Sequence, residues 1–133
     1  MTTLTSSQLT RHPTRAWDAT IKDQPKRWLY SIPARAWALI DARLQTSRDE
    51  DTALTWPDDQ QREIRSLLGD LISALDDGPG VVVIDRVPMD RYTPQQATQI
   101  YWLIGQAIGR PITQNIKGDV LYNVLDQGGD YTQ

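Results

Sequence analysis

Near the end of the chain, Gln114, Asn115, Lys117, Asp119 and Asn123 place five hydrogen-bonding side chains within ten positions. Amides and one ammonium arriving from a rigid strand can orient a small ligand that carries a carboxylate or an amide, because a pocket draws its selectivity from a few fixed polar groups on an apolar wall. The same residues also fit a loop and edge strand wetted by solvent. In neither reading do they perform catalysis by themselves. His12 is the sole histidine and lies in a polar leader beside Pro13, so it reads as an exposed side chain. A serine-histidine triad or a histidine-rich zinc site needs a better-placed imidazole. The Gly-Pro-Gly at 78–80 precedes a strand instead of opening a helix, the wrong order for a phosphate cradle. The acidic pairs Asp58-Asp59 and Asp76-Asp77 fall at opposite ends of one expected helix, too far apart to work as a carboxylate pair.

The elements that must position the polar cluster are clearest from Gly78 to Asp126. Val81-Val82-Val83-Ile84 are four successive β-branched residues, which predicts a strand covered on both faces. After the exit loop 85–91, Thr93, Pro94 and Gln96 supply an N-cap, a first-turn proline and a capping-box partner. The helix that follows points Ala97, Ile100, Tyr101, Ile104, Ala107 and Ile108 inward, and Gly109 with Pro111 stops it. Val120, Tyr122 and Val124 then alternate with Leu121, Asn123 and Leu125, which predicts a strand with Asn123 on the face opposite Tyr122.

Earlier in the chain, Ser31 and Pro33 announce a helix to about Gln45, with Trp37, Ile40 and Leu44 as its apolar face. Residues 46–55 are polar and charge-mixed, hence a surface loop. Thr55 and Pro57 repeat the start signal, Asp58 and Asp59 suit the positive end of the helix dipole, and a second helix is expected to run unbroken to about Leu75. Ile64, Leu67, Leu68, Leu71, Ile72 and Leu75 form its stripe, weakened only by Gly69. Residues 1–24 are rich in Thr, Ser and charge and read as an N-terminal arm, with 25–133 as the remaining domain. Trp17 in the arm and Trp28 just after it predict that the arm docks on a surface, because indoles gain by burial.

At 133 residues the chain suffices for one core. A net charge of -3 and a pI near 5.0 leave no clustered basic face, so nucleic acid is not an expected partner. With no cysteine, disulfides, thiolate metal sites and a cysteine nucleophile are excluded from this sequence. The leader lacks a secretory apolar core, and no stretch of about eighteen apolar residues occurs, so a cytoplasmic protein without a membrane span is expected.

The strings GxGVVVIDxxPMDxYTPxQA, YWxIGxxIGRP and TQNxKGDxLYxVxDxGxDY resemble the N-terminal part of taurine-dioxygenase-like iron(II)/2-oxoglutarate oxygenases, in the clavaminate-synthase-like superfamily. The resemblance covers roughly Ile64 to Tyr131. It implies an α+β fold in which helices pack on the first strands of a double-stranded β-helix (jelly roll), incomplete in this chain. It also implies a dioxygenase that hydroxylates or otherwise oxidises a small molecule, using iron(II) and 2-oxoglutarate. In that family the Gln-Asn-x-Lys-Gly-Asp stretch leads downstream into the first metal-ligand motif, His-x-Asp/Glu, and this sequence ends before it. Such iron is held by two histidines and a carboxylate. With His12 the only imidazole, this chain cannot build that site, and no catalytic or metal residue carries over. The co-substrate arginine of the family likewise lies in the C-terminal part, so no arginine here inherits it. What carries over is the substrate wall: Gln114, Asn115, Lys117 and Asn123. The expected partner is a completing chain or a second copy of this one. A split subunit, a truncated product and a piece of a longer chain are all compatible with the residues. The alternative is a non-catalytic interaction or regulatory module derived from the same fold, offering an open sheet edge to a partner.

Overall fold

Two of the three longest helices enter through a proline whose extended backbone, not a side chain, sets the first turn. The computed structural model describes residues 16–47, 54–112 and 116–121. Helix α1 (Ala34–Gln45) follows Pro33 at φ -59 and ψ 149, and α2 (Asp58–Leu67) follows Pro57 at φ -59 and ψ 150. Each proline carbonyl accepts the first helical hydrogen bond, from Trp37 N at 3.1 Å and from Gln61 N at 2.8 Å. The hydroxyls of Ser31 and Thr55 therefore do not cap these helices, contrary to the sequence reading. They stand two residues ahead of the cap position, which proline itself occupies. Asp58 and Asp59 do lie in the first turn of α2.

The expected single helix to Leu75 is two. Leu68, at φ -94 and ψ 16, separates α2 from α3 (Gly69–Asp76). The ladder bridges the break, with Leu68 N on Ile64 O and Ile72 N on Leu68 O, both at 3.0 Å. An ideal Cβ built on Gly69 meets nothing within 4 Å, so crowding there does not force the irregularity. A glycine after Leu68 lowers the cost of leaving helical geometry by up to about 1 kcal/mol, and Ile64, Leu68 and Leu71 remain buried. The Gly-Pro-Gly turn ends α3 as read. Gly80 has φ +77, the left-handed region, and its N–H reaches Ala74 O at 3.1 Å. A Cβ on Gly78 would sit 2.8 Å from Ala74 O.

Strand β1 (Leu29–Tyr30) pairs in parallel with β2 (Val83–Ile84), in the register Leu29 to Val83 and Tyr30 to Ile84. Val83 N donates to Trp28 O and Asp85 N to Tyr30 O, each at 2.7 Å. The expectation that the branched run is covered on both faces is overturned: Val81 is 40% and Val83 49% exposed, while Val82 and Ile84 are half-buried. Only one side of the pair rests on the body of the protein. Val120 and Leu121 lie in a bend and not in the expected strand, and Tyr122 to Leu125 lie outside the described residues.

Helix α4 (Pro94–Ile108) opens on the predicted capping box, with Gln96 N donating to Thr93 Oγ1 at 3.1 Å and Thr93 N to Gln96 Oε1 at 3.0 Å. It ends at Gly109, whose φ of -157 is extended and not left-handed. The core gathers Ile32, Ala36, Ile40 and Leu44 against Trp56, Ile64 and Leu68, with Ile100, Leu103 and Ala107 from α4. The sequence reading turned Tyr101 inward, yet Tyr101 is 66% exposed and Leu103 is fully buried. The fold is α+β and mostly helical, with a two-stranded parallel sheet among the described residues. No helix among them is long and apolar enough to cross a membrane.

Replacing Leu103 by Ala is expected to lower unfolding free energy by about 2–5 kcal/mol in a urea titration, through lost burial plus a cavity. Replacing Tyr101 by Ala on the same helix is expected to stay within about 0.5 kcal/mol. Equal losses would reject the assignment of the two faces.

Candidate functional site

Helix α4 is apolar on two sides, because its large aliphatic residues are spread around more than one stripe. One side, Ile100, Leu103 and Ala107, closes the core. The other, Ala97, Tyr101, Ile104 and Ile108, walls an open apolar hollow of about 840 Å³. Ile84 of β2 and Val87 form the facing wall, and Pro111, Ile112, Val120 and Leu121 border it after the helix. Of the row read from the sequence as facing inward, Ile100, Ile104 and Ala107 are buried in the core and Ile108 packs against it, while Tyr101 faces out; Ile100, Ile104 and Ile108 line the hollow as well. Helical steps of 100° place Ala97, Tyr101, Ile104 and Ile108 on one line and Leu103 well away from it.

Of the four residues expected to wall a substrate site, Lys117 alone lies within the described residues. It is exposed, in a turn completed by Gly118 at φ +85, a left-handed position suited to glycine. Gln114, Asn115 and Asn123 lie outside the described residues, as does His12. Asp119 is exposed one residue before Val120, itself a lining residue of the hollow. The polar turn therefore adjoins the hollow along the chain.

Sequence reading missed Arg110, the single formally charged residue lining the hollow among the described residues. It had been absorbed into the Gly-Arg-Pro stop of α4. No periodic signal pointed to it, since continued helical steps would set Arg110 on the Leu103 side and the extended backbone at Gly109 ends that register.

A separate polar junction fixes the entry to α4. Tyr92 Oη donates to Asp41 Oδ1 at 2.5 Å, and the Arg91 guanidinium reaches Asp41 Oδ2 at 3.2 Å. The Tyr92 ring stacks on Trp37 with centroids 6.1 Å apart, and Arg91 lies 5.7 Å from the same ring's centroid. Burial of the phenol, reinforced by the hydrogen bond to Asp41 and its negative charge and opposed by Arg91, pushes the Tyr92 pKa up to about 12. Tyr92 stays a neutral donor across the physiological range, so the junction holds α1 to the start of α4 and is no proton-transfer device. Deeper in, Trp56 Nε1 donates to Leu103 O at 2.9 Å, and Gln61 Nε2 to Gln106 O at 2.9 Å. Gln106 Nε2 in turn donates to Leu54 O. These bonds tie the loop before α2, and α2 itself, to the core side of α4.

On the N-terminal side, Trp17 Nε1 donates to Pro79 O at 2.9 Å and Trp28 Nε1 to Ile21 O at 2.7 Å. Asp18 caps the 3-10 turn Ala19–Asp23. The hydroxyl and amide of Thr20 bond its carboxylate and hold its pKa below the usual value.

Among the described residues no group of three or more His, Cys, Asp or Glu side chains is placed to hold a metal. The sequence itself supplies one imidazole and no thiol, which does not fit a site needing two histidines and a carboxylate. No family model, no curated protein and no solved structure matches this chain.

The raised Tyr92 pKa carries a sign. The stabilisation it contributes is fully present below the ordinary tyrosine value of about 10 and is lost as pH rises through about 12. A tyrosinate absorbance titration is expected to show a step near that upper value, absent in Tyr92→Phe. A wild-type profile identical to that of the variant would refute the Asp41–Tyr92 junction.

Proposed function

We propose that this chain is the N-terminal part or subunit of an iron(II)/2-oxoglutarate-dependent dioxygenase, of the taurine-dioxygenase-like type, that oxidises a small molecule. The metal site and the co-substrate belong to residues outside this chain, which fits neither. The jelly roll, the cytoplasmic setting and a completing chain are parts of the same reading. The observation that carries it is the half-covered sheet. Val81 to Ile84 is branched on both faces, yet the face with Val81 and Val83 is exposed, and on the other face Ile84 borders the unfilled hollow beside α4. A cover layer awaiting further strands has this form. The strings from Gly78 through Tyr131 support the same family independently of that geometry.

Within such an enzyme, iron and 2-oxoglutarate supply the oxidising chemistry. This chain contributes the apolar wall of α4 and the polar stretch from Gln114 to Asn123, which holds part of the substrate. In this reading Lys117, the cation of that stretch, meets a substrate carboxylate.

A second reading is favoured by the open edge and exposed valines of β2: a non-catalytic interaction module that recruits a strand or dimerises. The two differ in the company the chain keeps. A neighbouring reading frame carrying His-x-Asp and a distal histidine, co-purifying with this chain, belongs to the split enzyme. A self-contained dimer with no such frame belongs to the module.

Anaerobic calorimetry with iron(II) and 2-oxoglutarate is expected to show no stoichiometric binding to the isolated chain, and binding once the completing chain is co-expressed. Tight stoichiometric iron binding by the isolated chain, or turnover of 2-oxoglutarate by it, would overturn the proposal.

A further inference from the structure

We propose that the hollow beside α4 binds a small apolar monoanion, an aliphatic or aryl carboxylate, with the apolar body on the α4 wall and the carboxylate on Arg110. This goes beyond the oxygenase reading and does not rest on it.

Three observations carry it. The volume of about 840 Å³ lies within the range of small-molecule sites, roughly 300–1,000 Å³. Among the described residues the lining is mostly aliphatic and aromatic, with the Gln106 amide, no Asp or Glu, and Arg110 as the one formal charge. Arg110 is exposed and makes no ion pair with any described residue, so its planar fork is available for a bidentate carboxylate. A neutral apolar ligand leaves that charge unused, and a cation is repelled by it.

The third observation is Gly105. It stands inside α4, lines the hollow, and an ideal Cβ built on it meets nothing within 4 Å. A glycine in a helix interior is less favourable than alanine, and no neighbour demands it. Its effect is to leave the wall of the hollow recessed at mid-helix, where a ligand body can lie against the backbone.

A second copy of this chain is a poor occupant by shape. Two hollows facing each other across a dyad present concave surface to concave surface and leave both volumes empty. A slender ligand with one anionic end fills the recess and neutralises the charge.

The test is calorimetric titration of the full chain with octanoate, 1-octanol and octylammonium at low salt, with neither iron nor 2-oxoglutarate present. Octanoate is expected to bind about five-fold tighter than octanol, a margin typical of one exposed ion pair, and octylammonium weakest. Arg110→Gln is expected to erase the preference for octanoate while leaving octanol unchanged. Gly105→Trp, which projects into open space and leaves the core intact, is expected to abolish binding of all three with an unchanged urea midpoint. Equal affinity for octanoate and octanol, an Arg110→Gln variant that keeps the preference, or no binding by the folded wild type would each overturn the proposal. So would a concentration-dependent dimer that Gly105→Trp dissociates, since the hollow would then belong to a second copy. Iron is absent throughout, so failure to bind iron leaves this proposal intact, whereas octanoate binding by the chain alone would count against the α4 face as a seat for further strands.

Discussion

Helix α4 has more apolar surface than one core can bury, and the arrangement of the rest follows from which side is buried first. Leu103 and Ala107 are fully enclosed, and Trp56 reaches the Leu103 carbonyl from the segment ahead of α2. That bond satisfies the indole N–H inside the core and fixes the rotation of the helix about its axis. With Leu103 and Ala107 inward, Ile104 and Ile108 sit at the margin of the core, where they also line the hollow, and Tyr101 faces out. The hollow is therefore a consequence of core packing and not a separate construction.

The polar contacts around α4 act at its two ends. At the start, the capping box satisfies free amides while Tyr92 and Arg91 bind Asp41 of α1. Toward the end, Gln61 and Gln106 use side-chain amides on main-chain carbonyls, so the segment at Leu54 is held without a strand or helix of its own. Gln99 is the one buried polar residue among the described ones, and no buried side-chain nitrogen or oxygen is left unsatisfied there. A core this well satisfied beside a half-covered sheet separates a finished side of the molecule from an open one.

Much of this was legible from residue order, and the failures have common physical causes. The capping box, the Gly-Pro-Gly turn and the buried positions Ile40, Leu44, Ile64, Leu68 and Leu71 follow from local spacing, which the final packing respects. Strand β1 was invisible because two residues show no alternation; Leu29 and Tyr30 become a strand only through their partner. The exposure of Val81 and Val83 was misread because branching reports conformational preference, while coverage depends on what lies opposite. Proline caps were mistaken for first-turn prolines because proline is commonest one position later, after a Ser or Thr cap, and residue order does not fix the boundary to one residue. In α4, Tyr101 was turned inward because period alone ranks two apolar rows equally, and only the contact with Trp56 chooses between them. Of the candidate site, the sequence offered the polar turn holding Lys117 but not the Arg110 cation, whose role depends on a wall assembled from distant parts of the chain.

The parallel pairing of β1 with β2 has a kinetic meaning. Three elements, α1, α2 and α3, intervene between strands of two residues each. Closing so long a segment costs entropy that two ladder bonds cannot offset, so the strands meet only after the helices have collapsed together. Trp17 bonds Pro79, in the turn that delivers the chain to β2. The Trp17 bond thus reinforces the same long-range closure, tying the first described residues to the turn that leads into β2.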